Sequence, residues 1–242
     1  MEKLKVEIKQ IWTESKSRYG APKIHKTLIS LGIKVSLKRV QRYMSAMNIR
    51  SIVVKKFRYH SEKVTSDDKE NILNRDFKTT GINQKWCTDI TYIYTIKNGW
   101  TYLASVMDFH SKKIIGYAYD TSMTAELAVK AVKNACLNVK DTKGIILHSD
   151  LGTQYTSRLF EDYLCSKEII HSFSRKGNPY DNACIESFHS ILKKEEVNHH
   201  RYFDFNVARK VIFEFIESWY NRKRIHSAIN YMTPQAAHEA AA

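Results

Sequence analysis

Leu4, Ile8, Ile11 and Trp12 recur at helical spacing and give way near Tyr19-Gly20. A second amphipathic stretch opens at Pro22, carries Ile24, Leu28 and Leu31 on one stripe and stops at Gly32. Ser36 then offers an N-cap to a third stretch, with Leu37, Val40, Tyr43, Met44 and Met47 inward and Lys38, Arg39, Gln41 and Arg42 outward. A glycine-containing turn followed by a helix with a basic outer face matches a helix-turn-helix, whose second helix enters the major groove. An ordinary three-helix bundle has the same periodicity, so both readings stand at this point.

From Lys85 the period changes to two. Trp86, Thr88, Ile90, Tyr92 and Tyr94 share one face of a predicted strand and Asp89 lies on the other. Asn98-Gly99 turns the chain into a second strand over 100–108, and 114–119 supplies a third. A helix over 124–139, a buried strand over 144–150, a helix over 157–167 and a short strand over 169–173 follow. Pro179 then opens a helix with Asn178 as cap, Asp181 in its first turn and Ile185, Phe188 and Leu192 as its apolar stripe. A last helix over 206–222 carries Val207, Val211, Phe215, Ile216 and Trp219, which pack it against the core. The pattern predicts an α/β core with a mixed five-stranded sheet flanked by helices, preceded by a small all-α domain. Its divisions are 1–50, a polar linker with some helix over 51–80, the core over 81–200 and a helical extension over 201–242. The linker fits a segment that tracks DNA backbone and a solvated connector equally well.

Charge changes this picture from one domain to two tasks. The chain carries a formal +14 over 242 residues. Of that excess, +11 falls in residues 1–80, +1 in 81–200 and +2 in 201–242. A basic module attached to a nearly neutral one points to a polyanionic partner gripped chiefly by the first third. Hydrophobic content of 43% excludes a disordered tail protein. Cys87, Cys136, Cys165 and Cys184 form no CxxC pair, which argues against a zinc finger or disulfide framework and for reduced thiols. No apolar run approaches the roughly 20 residues that span a bilayer, and the opening Glu2-Lys3-Leu4-Lys5 is unlike a signal peptide. The expectation is a cytoplasmic, nucleoid-associated bacterial protein with no membrane partner.

Three carboxylates invite chemistry. Asp89 is the lone charge on an apolar, aromatic strand, so it must find a partner, reach solvent or bind a cation. Asp150 closes another buried strand before Leu151-Gly152-Thr153. Glu186 neighbours the apolar stripe of its helix, with Lys193 two turns along the same face. Each is also consistent with an ordinary capped or solvated residue.

Together these residues resemble the core of retroviral-type integrases and, more closely, the transposases of IS3-family insertion sequences. Trp86-Cys87-Thr88-Asp89-Ile90-Thr91-Tyr92, His148-Ser149-Asp150-Leu151-Gly152-Thr153-Gln154-Tyr155 and Gly177-Asn178-Pro179-Tyr180-Asp181-Asn182-Ala183 leading to Glu186 carry the resemblance, with 35 residues between Asp150 and Glu186. Tyr19-Gly20-Ala21-Pro22-Lys23-Ile24 resembles the family's helix-turn-helix, and Trp219-Tyr220-Asn221 with Arg224, His226-Ser227-Ala228 and Thr233-Pro234 its carboxy-terminal signature. The resemblance implies an RNase H-like fold and a DNA transposase whose Asp89, Asp150 and Glu186 hold two magnesium ions, with manganese as a substitute. Asp89 would bridge the ions, and Asp150 and Glu186 would each complete one. Lys193 would contact a phosphate near the scissile bond; Lys38, Arg39, Gln41 and Arg42 would face DNA. His148, Asn182 and His189 fit either support of that site, contact with DNA or a purely structural role. Asn221, Arg222, Arg224 and His226 fit DNA contact and helix-end capping alike. The zinc module that precedes the retroviral core has no counterpart here, so zinc is not carried over. Implied partners are double-stranded DNA, further copies of the chain and the product of a small upstream reading frame. Two rivals remain: a regulator that only binds DNA, and an RNase H-like nuclease that cuts without joining.

Overall fold

The computed structural model describes residues 2–53, 70–175 and 179–242, and for Pro179 and Tyr180 the backbone only. The chain divides into two compact units, Met1–Arg58 and Tyr59–Ala242. The expected cap at Asn178 and residues 54–69 of the linker lie outside the described residues. The described remainder of that linker, 51–53 and 70–80, contains turns and no helix.

In the first unit α1 (Glu2–Glu14), α2 (Ala21–Ser30) and α3 (Leu37–Ala46) bury Ile8 and Ile11, Ile24 and Leu28, and Val40 and Met44 against one another. Pro22 sits in the first turn of α2, and the Ser36 hydroxyl accepts the Arg39 N–H to cap α3. Gly32 takes a φ of +79° beyond α2, a conformation glycine adopts without a Cβ penalty. Lys38, Arg39, Gln41 and Arg42 are exposed as expected, but so is Leu37, which at the first position of α3 precedes the buried stripe. The Trp12 indole N–H donates to the Arg50 carbonyl, tying the segment after α3 to α1.

The second unit is built on a five-stranded sheet ordered β3-β2-β1-β4-β5. β1 (Lys85–Thr95), β2 (Gly99–Asp108) and β3 (Ile114–Asp120) form an antiparallel meander; β4 (Ile146–Ser149) and β5 (Ile170–Phe173) add on parallel to β1. β4 pairs with β1 only at Lys85, Trp86 and Cys87, so from Thr88 onward the β1–β2 hairpin runs beyond its parallel neighbour. On one face α4 (Ala125–Cys136) and α5 (Arg158–Ser166) cover Trp86, Ala104, Val106, Ala118 and Leu147. α4 lies so close to β3 that a Cβ on Gly116 would collide with the backbone of Ala131 and Ala135. Thr124 and Ser157, where these two helices were expected to begin, cap them by accepting the N–H groups of Leu127 and Phe160.

α6 (Ala183–Glu195) crosses the opposite face of the hairpin, burying Ile185, Phe188, His189 and Leu192. It starts later than Pro179 because residues Pro179–Asn182 wind as a tight 3-10 turn first. α7 (Phe205–Glu214) runs on into a π-helical turn over Phe215–Tyr220 rather than continuing as regular helix to 222. Val207, read as inward, is exposed, and Ala208 and Ile212 are buried in its place. The wider turn lets Phe215, Ile216, Trp219 and Tyr220 all face inward, with Tyr220 edge-on to Phe188 at 4.7 Å. α8 (Pro234–Glu239) ends the chain's regular structure. No helix among the described residues is long and apolar enough to cross a membrane.

Candidate active site

β1 carries Asp89 just past the point where β4 stops pairing, Asp150 is the first residue after β4, and Glu186 lies in the first turn of α6. Sequence order thus becomes one neighbourhood: a strand, the end of its parallel neighbour and a helix laid across them. The three carboxyls feel one another. The protein packed around Glu186 raises its proton affinity, and the charges of Asp89 and Asp150 add to that. Asp150 is raised by its surroundings and then by Asp89, against a lowering hydrogen bond from the Gly152 N–H. Among the described residues no three His, Cys, Asp or Glu side chains already close around a point that would hold an ion. Mutual repulsion of like charges is a sufficient reason for them to stand apart.

Asp89 is held at both oxygens. Oδ1 accepts the Ile90 N–H at 2.8 Å, and Oδ2 lies 3.3 Å from His189 Nδ1. His189 is buried, and its other nitrogen lies 3.4 Å from the Ser105 hydroxyl on β2. Asn182, also buried, donates to the Thr88 carbonyl at 3.4 Å, while its Oδ1 is buried with no hydrogen-bond partner among the described residues. His148 is different. It has no exposed surface, and its two ring nitrogens meet the hydroxyls of Ser172 and Ser174 at 3.0 and 2.9 Å, so it braces β4 against β5 and reaches no DNA.

Burial pushes the His148 imidazole down to about 4 from an ordinary 6.5. The neutral ring is the form the fold prefers, so its contribution is whole above pH 6.5 and is lost as pH falls through 4. A shift of that size is worth about 3 kcal/mol. Thermal melts between pH 7 and 4 are expected to show this loss, and His148→Asn should flatten that limb. An unchanged slope in the variant would remove the assignment.

Two clusters escaped sequence reading. Asp181 is 1% exposed and accepts from Arg75, Arg175 and Asn71, pinning the turn before α6 to residues 70–75 and to the end of β5. Burial alone would raise its proton affinity, but the Arg175 and Arg75 bonds overcome that and hold it well below the usual carboxylate range. Glu195, at the other end of α6, accepts from Arg224 at 2.9 and 3.0 Å and from the Trp219 indole at 3.0 Å. Arg224 is therefore a buried structural cation, and Asn221 is buried as well, bonding both the N–H and the carbonyl of Ile114. Neither is available to DNA. Exposed Arg222 remains on the surface. Lys193 is half-buried on α6, its ammonium 4.1 Å from the centre of the Tyr92 ring; burial lowers its pKa and the Asp89 charge works the other way.

The chain matches the model of the integrase core domain over residues 79–179, a second integrase core model over 167–234 and an HTH-like domain over 1–57. It is 38% identical to the transposase for insertion sequence element IS904 of Lactococcus lactis, over 96% of this chain and 92% of that one. It is 37% identical to transposase InsF for insertion sequence IS3A of Escherichia coli, over 93% and 78%. Among solved structures, the simian T-cell lymphotropic virus intasome aligns with a TM-score of 0.55 at 14% identity, over 95% of this chain and 73% of that one. The trimeric HTLV-2 integrase catalytic core with magnesium aligns at 0.50 and 19% identity, over 66% and 99%. The sheet order seen here and those likenesses define an RNase H-like core, and the first unit is its helix-turn-helix-type companion. With relatives this similar over nearly its whole length, the chain belongs to the transposases of IS3-family insertion sequences, and its function is DNA transposition through an integrase-type core.

Proposed function

We propose that Asp89, Asp150 and Glu186 are the acidic set of a DDE polynucleotidyl transferase that cuts phosphodiesters at the ends of its element and joins them to target DNA. The observation that carries the reading is that three carboxyls on β1, after β4 and on α6 lie within one another's electrostatic field. Their donor set is all oxygen, as a hard divalent ion requires, and the orphaned Asn182 Oδ1 beside Thr88 offers one more. Asp89, Asp150 and Glu186 would hold two magnesium or manganese ions. When bound, such ions neutralise charge on the phosphoryl oxygens and favour a deprotonated nucleophile. The HTLV-2 core in complex with magnesium is in line with that choice.

The remaining work falls to side chains. His189 fixes the rotamer of Asp89, so this carboxylate is pre-oriented rather than free to swing. Lys193 offers a point charge to a DNA phosphate two turns from Glu186. In the first step water attacks the phosphorus, the bond to the 3′ oxygen breaks, and that oxygen leaves as a free hydroxyl. In the second step this hydroxyl attacks a target phosphodiester: a new P–O bond forms, the bond to the target's 3′ oxygen breaks and that oxygen leaves as a hydroxyl, so one phosphodiester replaces another without an external energy source. Lys38, Arg39, Gln41 and Arg42 on α3 present the first unit's grip on double-stranded DNA. Cutting two ends and bringing them together calls for several copies of the chain.

Joining separates this function from hydrolysis alone. Supplied with an element end already carrying a free 3′ hydroxyl, and with magnesium or manganese, the protein is expected to yield a joined product. Persistent nicking with no joined strand would reduce it to a nuclease, and tight binding with neither would reduce it to a regulator.

A further inference from the structure

Beyond β4 the hairpin has an edge that no strand covers among the described residues from Asp89 to Tyr94; pairing resumes only where Thr95 and Ile96 meet Tyr202. Along this edge Tyr92, Tyr94 and Trp100 point outward, each more than half exposed. Trp100 stands between the two tyrosines, edge-on to both at 5.2 and 5.3 Å. Three large rings left to water on one face call for a partner. The cleft they border has a volume of about 650 Å³. Its far wall is the segment after α6, including His200 and Arg201, and Lys193 closes the end nearest Asp89. No Asp or Glu is among its described lining residues.

The geometry points to a stacking cleft for unpaired nucleotides of the DNA strand being cut. Every base has a π face, so an aromatic platform accepts it whatever its identity, and Lys193 and Arg201 serve the phosphates that accompany it. Two cations with no opposing carboxylate in the described lining suit a phosphodiester strand better than a protein ligand. Continuity decides the occupant: Lys193 touches the Tyr92 ring and sits within the field of Asp89, so a strand whose scissile phosphate lies over the acidic set passes directly onto the rings. The inference rests on the reading of Asp89, Asp150 and Glu186 as the cutting site. It adds that DNA is held there with its end opened, the bases beyond the cut being taken out of the duplex.

Fluorescence anisotropy tests this on the full chain in EDTA, where no cutting takes place. The probes are a blunt duplex and the same duplex with a 3′ single-stranded tail of a few thymidines. Wild type is expected to prefer the tailed probe. Trp100→Ala should weaken that probe about tenfold, the size of one lost base stack, and leave the blunt probe unchanged. Trp100→Phe, which keeps a ring, should restore most of the preference, and a melting curve matching wild type shows that the exposed position is not holding the fold. The inference is overturned if wild type shows no preference for the tail, or if Trp100→Ala keeps it. Glu186→Gln serves as the separating control: a tail preference that persists in it and depends on Trp100 upholds the cleft even where cleavage proves to use other residues.

Discussion

Glu186→Gln is expected to stop cleavage and joining, by more than about 10³-fold, while leaving folding and DNA retention intact. The substitution keeps the side chain's shape and removes one charge. In the protein without metal that charge is already unwelcome, since burial and the neighbouring Asp89 and Asp150 raise the carboxyl's proton affinity. A carboxyl raised in the fold costs stability once pH exceeds its ordinary value of about 4.3, so the neutral amide should melt at or above the wild-type temperature at pH 7. Loss of activity combined with undiminished stability is the signature of a residue kept for its charge rather than its packing. Wild-type cleavage by the variant would take Glu186 out of the acidic set, and a lower melting temperature would mean that its carboxylate holds the helix.

Much of the architecture follows from local patterns. Alternation from Trp86 to Tyr94, the Asn98-Gly99 turn, the cap Ser36 and the helix starts near Thr124 and Ser157 rest on contacts within a few residues of one another, and each appears where it was read. The grouping of Asp89, Asp150 and Glu186 was carried in the sequence by the family resemblance; in the fold it follows from the middle of one strand, the end of its parallel neighbour and a helix start once β4 pairs with β1. What local pattern leaves out is which face is covered. Period two places Tyr92 and Tyr94 with Trp86, but β4 ends at Ser149 and leaves the tyrosines in water. Period 3.6 assigned Val207 inward because it assumed a regular helix; the π turn at Phe215–Tyr220 changes the angle between the helix's two halves. Asp181 with Arg75, and Glu195 with Arg224, are pairs 106 and 29 residues apart that charge pattern alone does not mark.

Those two carboxylates, at opposite ends of α6, should behave differently when removed, and Glu195→Ala is expected to be the more damaging. Arg75 and Arg175 are 44% and 45% exposed, so water can take the place of Asp181 around them. Arg224 is only 8% exposed, and its guanidinium would be left buried without its carboxylate, together with an indole N–H that has lost its acceptor. Breaking a buried pair from one side costs about 3–5 kcal/mol, which in a unit of this size lowers the melting temperature by roughly 10 °C. Replacing both partners with methionine should recover much of that, because the penalty lies in the stranded charge rather than in the loss of attraction. A single-variant cost under about 1 kcal/mol would show that solvent reaches Arg224 after all. The consequence reaches function through geometry: Glu195 fastens the end of α6 two residues beyond Lys193, so loosening it frees the ammonium from the Tyr92 ring. DNA joining should then fall before the fold does, as temperature rises toward the lowered melting point.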